Sequence, residues 1–198
     1  WNLARDGWVE PGPGHIMKLR YTSLQADTGA AEEHHPDLRS SLDGAPVVVC
    51  GLHSQVPAVA VSVLAARPAA RLAYVMTDGA ALPLALSDLV DAMVDRGVLA
   101  ATITAGHAFG GDLEAVSVPS ALALARHVLD ADVTIVAMGP GVVGTGTPLG
   151  TTSVEVASAL DAAAALDGTP IAALRMSGAD PRPRHRGVSH HSRTALEL

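Results

Sequence analysis

The sequence predicts an α/β fold, a single Rossmann-like three-layer domain with a mostly parallel sheet of about five strands. Three observations lead there. From Pro46 onward, short β-branched runs alternate with Ala- and Leu-rich stretches of helical length. Those runs are apolar throughout, as in Val133-Thr-Ile-Val-Ala, which is what strands covered by helices on both faces require. Glycine, histidine, acidic and hydroxyl residues gather in the segments that leave these runs, while the segments entering them, such as Leu166-Asp-Gly-Thr-Pro, are plain turns.

Residues 1–44 read as a leader and linker. Trp1 to Pro13 is mixed in character and ends in Pro-Gly-Pro-Gly, after which Ile16 to Leu24 alternates like a strand. Ala26 to Gly44 is polar, with Glu32, Glu33, His34 and His35 ahead of a proline, and offers no face to bury. The α/β domain follows over 45–198. Its expected strands are Val47 to Cys50, Arg71 to Met76, Ala101 to Thr104, Val133 to Met138 and Ile171 to Met176. Pro57 to Ala66, Leu84 to Arg96, Pro119 to Leu129 and Ser153 to Leu166 carry apolar positions near a 3.6 period and supply the crossover helices. The strand order is not readable from this pattern.

The chain has 198 residues, room for one buried core, and 48% of them are hydrophobic but only 3% aromatic, so the core must be Ala, Val and Leu. A formal charge of −7 argues against a nucleic-acid partner, and no aromatic stacking platform accompanies the basic residues. The single Cys50, in an apolar run, reads as a small buried hydrophobe in a reducing, cytoplasmic compartment. No window approaches the roughly 18 apolar residues of a membrane span, and no signal-peptide pattern is present. A homodimer is expected on the commonness of two-fold assembly.

In open α/β sheets ligands bind beyond the carboxyl ends of the strands, where helix amino termini converge. The expected ligand-binding residues are therefore His53 and Ser54 after the first strand, Thr77 and Asp78 after the second, and Gly139, Gly141, Gly144, Thr145 and Thr147 after the fourth. Arg182, Arg184, His185, Arg186, Ser189 and His190 complete the set after the fifth. The glycine-rich loop matches neither a P-loop nor a dinucleotide fingerprint. Its backbone N–H groups and threonine hydroxyls suit an anion-sized concavity, and a tight structural loop is the alternative. Arginines beside it suit phosphate or carboxylate. His107, with Asp112 and Glu114, supplies candidate acid–base chemistry. Convergence of His53, His107 and His185 or His190 would instead hold a divalent metal; no cofactor is otherwise indicated by these residues. His190 and His191, being adjacent, are expected to point in different directions. No Gly-x-Ser-x-Gly elbow offers a covalent nucleophile.

Gly14-His-Ile-Met-Lys-Leu-Arg-Tyr, Gly51-Leu-His-Ser-Gln, Tyr74-Val-Met-Thr-Asp-Gly-Ala-Ala-Leu-Pro, Gly106-His-Ala-Phe-Gly-Gly-Asp-Leu-Glu-Ala-Val, Gly139-Pro-Gly-Val-Val-Gly-Thr-Gly-Thr and Pro181-Arg-Pro-Arg-His-Arg-Gly-Val-Ser-His-His-Ser span nearly the whole chain. At these residues the sequence resembles an uncharacterised bacterial family catalogued as domain of unknown function 3866. The resemblance implies a longer amino terminus, so that this chain would be a carboxyl-terminal portion, and it implies no reaction. One departure is Ser177-Gly178-Ala179-Asp180, where the resemblance implies an aromatic more often at the third position. The functional expectation is binding, and conversion if the domain is an enzyme, of a small anionic, phosphorylated metabolite. A metal-dependent hydrolase using His and Asp ligands and a non-catalytic interaction domain are the rivals.

Overall fold

A computed structural model describes residues 17–18, 26–80 and 82–198. Six strands form an all-parallel sheet: β1 (Pro46–Cys50), β2 (Leu72–Thr77), β3 (Ala101–Ala105), β4 (Leu113–Ala115), β5 (Val133–Met138) and β6 (Thr169–Ala173). Their order across the sheet is β4-β3-β2-β5-β1-β6. Helices α1 (Val56–Ala66), α2 (Asp88–Asp95), α3 (Val118–His127) and α4 (Glu155–Ala165) are the crossovers, and α5 (His190–Glu197) ends the chain.

The strands alternate between two cores. Val47 and Val49 of β1 join the core beneath α3 and α4, while Val48 and Cys50 join the one beneath α1 and α2. Both faces are covered, which is why β1, β2, β3 and β5 are apolar apart from the buried threonines Thr77, Thr102, Thr104 and Thr134. Helix starts are set locally. Ser87 caps α2 by accepting a hydrogen bond from the Val90 N–H at 3.2 Å, and Ser117 caps α3 ahead of Pro119.

All five expected strands are present, with shifted ends. The fifth stops at Ala173, and Met176–Ser177 leaves to pair antiparallel with Gly187–Val188 in a separate ribbon. The sixth, β4, has three residues including a glutamate, too short to show periodicity. Gly111 makes the tight return from β3: a Cβ there would lie 2.8 Å from the Thr104 nitrogen and 3.0 Å from the Leu113 oxygen. α5 has no counterpart among the expected helices, because two histidines, a serine and an arginine open it in place of an apolar stripe.

Of the strand expected over Ile16–Leu24, Met17–Lys18 is among the described residues and pairs with Ala26–Asp27. The rest, with His15, lies outside them. The expectation that Ala26–Gly44 buries no face is corrected. Ala30, Ala31 and Leu42 are buried, and the Glu32 carboxylate accepts from Val116 N at 2.9 Å and Ser120 Oγ at 2.5 Å. His127 Nε2 bonds the Ser41 carbonyl at 2.6 Å. The small amphipathic contribution of three apolar side chains is invisible against so many charges.

Candidate functional site at the carboxyl edge

The parallel sheet brings the segments after every strand to one edge. The chain leaves β1 for α1 on one face and β5 for α4 on the other, so adjacent β1 and β5 mark the point where winding reverses, the usual crevice for a ligand. Here that crevice is filled. Ser153 Oγ donates to the Gly51 carbonyl at 2.8 Å across it. His53, 8% exposed, lies beneath, with Nε2 2.7 Å from Ser87 Oγ and Nδ1 3.1 Å from the Tyr74 hydroxyl and 3.3 Å from the Met138 carbonyl. The Ser87–His53 spacing is that of a nucleophile and its base, yet Ser87 is 4% exposed and already caps α2. Burial holds the His53 pKa below its ordinary value, opposed by the Met138 carbonyl, so the ring links three elements as a neutral group. Ser54 is exposed.

At the β2 end, Thr77 is buried and donates to Glu155 Oε1 at 2.5 Å, while Asp78 is exposed and lies against Gly106. Burial, then the nearby Asp78 charge, raise the Glu155 carboxyl against the lowering bond from Thr77. At the β3 end His107 is half-buried. Asp112 accepts from Thr102 N at 2.8 Å and from its hydroxyl at 3.0 Å. Glu114 accepts from Thr104 Oγ1 at 2.7 Å and Gly110 N at 2.6 Å, and pairs at 3.1 Å with Lys18, whose fully buried ammonium also donates to the Gly106 carbonyl at 2.7 Å. Both acids thus organise the β3–β4 return, and Glu114 neutralises a buried cation. Lys18 carried no sequence signal, since its partner lies 96 positions on.

The glycine-rich loop after β5 closes on itself. Thr145 N donates to the Gly150 carbonyl at 2.7 Å, and the Thr145 and Thr147 hydroxyls bond each other at 2.8 Å. Gly139 is buried against Met76, whereas Gly141, Gly144, Thr145 and Thr147 are exposed on the projecting loop. Its far end touches α5: the Thr145 carbonyl lies 3.3 Å from His191 Nε2, and a Cβ on Gly144 would collide with that ring.

The segment after β6 folds over the edge as a cap. Asp180, 7% exposed, accepts from Arg175 Nη2 at 2.6 Å, and from Arg182 Nε and Nη2 at 3.0 Å. These bonds hold its carboxyl well below the ordinary range. Arg186 Nε donates to the Asp180 carbonyl at 3.1 Å, and Arg184 is exposed. Arg175 Nη1 is buried with no hydrogen-bond partner. Arg175 falls outside the sequence-derived set because it sits within the run taken for the fifth strand; a charge interrupting that run was the available signal.

Inside this cap His185, 3% exposed, stacks near His190 and His191, with ring centroids 5.0 and 5.2 Å away and the latter two 4.0 Å apart. The expectation that the adjacent pair diverges is therefore corrected: in the first turn of α5 both rings tilt toward His185. His185 Nδ1 lies 2.8 Å from Ser189 Oγ, which also caps α5. Burial, reinforced by the charges of Arg175, Arg182 and Arg184, lowers His185 to about 4. The three rings offer nitrogens all within 4.8 Å of one another, and among the described residues no other group of three histidine, cysteine or acidic side chains is so placed. His53 and His107 are not in it.

Comparison with known proteins gives one result. The sequence pattern of a family described as "Protein of unknown function (DUF3866)" matches residues 2–198. No curated protein and no solved structure matches.

Proposed function

Because this chain belongs to the DUF3866 family, whose description names no reaction, we propose its function from the site alone: it binds a small anionic metabolite, phosphorylated in our reading, under the cap that follows β6. The observation that carries this is Arg175 Nη1, a buried cationic donor without a partner. A buried donor left unpaired is costly, and an anion oxygen satisfies it. Asp180 already serves two guanidiniums, so it has no further charge to offer.

Charge supports the same reading. Residues 175–186 hold Arg175, Arg182, Arg184 and Arg186 against the single carboxylate of Asp180, within a chain of formal charge −7. That concentration of like charge against the trend of the whole molecule suits a dianionic group better than a neutral ligand. Arg182 and Arg186, fixed on Asp180, act as scaffold, and Arg175 and exposed Arg184 reach the ligand.

Thermal unfolding with inorganic phosphate and a panel of phosphorylated metabolites tests the proposal. A ligand at 100 times its Kd adds about 2.7 kcal/mol. Arg175→Gln should lower affinity tenfold or more, consistent with a charged hydrogen bond of about 1.5–3 kcal/mol. Because Arg175 also holds Asp180, Arg184→Gln is the companion variant that leaves this pair intact and should weaken binding to a smaller extent. Equal shifts in the wild type and both variants would overturn the assignment, as would no shift with any anion.

A further inference from the structure

We propose that His185, His190 and His191 form a binding site for one divalent transition-metal ion of the zinc type, with a fourth coordination position left for an exogenous ligand. The proposal goes beyond anion binding and does not depend on it. It rests on the convergence of three imidazoles from two elements, the 3-10 turn Pro183–His185 and the first turn of α5.

Two of the rings, His185 and His191, have one nitrogen assigned and one to spare. Ser189 Oγ occupies His185 Nδ1 and the Thr145 carbonyl faces His191 Nε2, which leaves His185 Nε2 and His191 Nδ1. His190 Nε2 is buried with no partner. Outer groups that fix the ring orientation of ligating histidines are the usual support of such centres. The glycine-rich loop gains a role in this arrangement, since Thr145 sets His191 and Gly144 leaves the space its ring needs.

Ion identity follows from the donors. Three imidazoles without a carboxylate suit zinc, copper, nickel or iron and not the oxygen-seeking calcium or magnesium. A tetrahedral zinc with bonds of about 2.0 Å sets its nitrogens roughly 3.3 Å apart, so separations of up to 4.8 Å close by modest ring rotation. Three protein ligands plus one open position is the pattern of catalytic rather than structural zinc. Neutral ligands leave the ion its full charge, and the amino end of α5 and Arg184 add more positive potential. An anionic fourth ligand, hydroxide or an oxyanion, therefore completes the site.

The test uses the full chain, stripped with chelator, dialysed and titrated with cobalt(II), read by visible absorption and by metal analysis. One ion per chain with the intense band of a tetrahedral site is expected. His190→Ala and His191→Ala, at half-buried positions in the first turn of α5, should keep the circular dichroism of the wild type and bind at least 100-fold more weakly. Ser189→Ala should lose about 10–100-fold, the usual cost of removing an orienting partner. Absence of stoichiometric cobalt, or uptake by the histidine variants equal to the wild type, overturns the site. An anion-induced thermal shift that persists in metal-free protein would leave the anion proposal standing without it.

Discussion

Glu155 illustrates how a single side chain reports its setting. Burial and the Asp78 charge raise its carboxyl above the ordinary value, outweighing the Thr77 hydrogen bond. In the folded state it holds its proton more tightly than in the unfolded chain. The associated stability is fully present below the ordinary carboxyl value and is lost as pH rises through the raised folded value. Glu155→Gln keeps an acceptor for Thr77 and removes the ionisation, so its denaturation midpoint should exceed that of the wild type at neutral pH and match it at acid pH. A variant less stable than wild type at neutral pH would show that the charge is used. Cys50, by contrast, is a packing residue: burial pushes its thiol up to about 12, so no thiolate forms near neutrality.

At the scale of elements, the β3–β4 return has no slack. Ala at Gly111 would press its Cβ onto the Thr104 and Leu113 backbones, an overpacking worth about 1–3 kcal/mol. Urea unfolding of Gly111→Ala should show that loss, and a change below about 0.5 kcal/mol would mean the return can yield. The elements legible in the sequence were those whose periodicity two cores enforce: β1, β2, β3, β5, β6 and the four crossover helices. β4 was not, because three residues are too few to show a period and one of them, Glu114, pairs with Lys18, which is distant in the chain. α5 was not, because its amino-terminal turn spends its side chains on one another instead of on an apolar stripe. Arg175 escaped the candidate set because it sits within the run read as the fifth strand and His191 because adjacent histidines were expected to diverge, while His185, Ser189 and His190 entered the set by position alone. His53 was expected to bind ligand from its place after the first strand, and the structure gives it three buried partners within the fold.

The molecule as a whole protects its sheet edges differently. β4 is short and meets the 31–34 turn, whereas β6 has an outer edge with no partner among the described residues. Thr169 N donates inward to the Ala45 carbonyl, so by alternation the Pro170 nitrogen faces the free side, where it has no hydrogen to offer. Pro170→Val should restore that donor and promote self-association, visible as a concentration-dependent rise in sedimentation coefficient. A variant with wild-type sedimentation would show that the edge is guarded by something else. No described helix is long and apolar enough to cross a membrane. The position of β5 between β1 and β2 has a temporal meaning as well. Val47 pairs with Thr134 and Tyr74 with Ile135, so the first two strands have no mutual ladder and stand apart until the fifth arrives. Such long-range closure slows folding, and on the ribosome β1 must wait, apolar, without a neighbour and in need of shielding, until residue 138 has left the exit tunnel, although β2, β3 and β4 can already pair with one another.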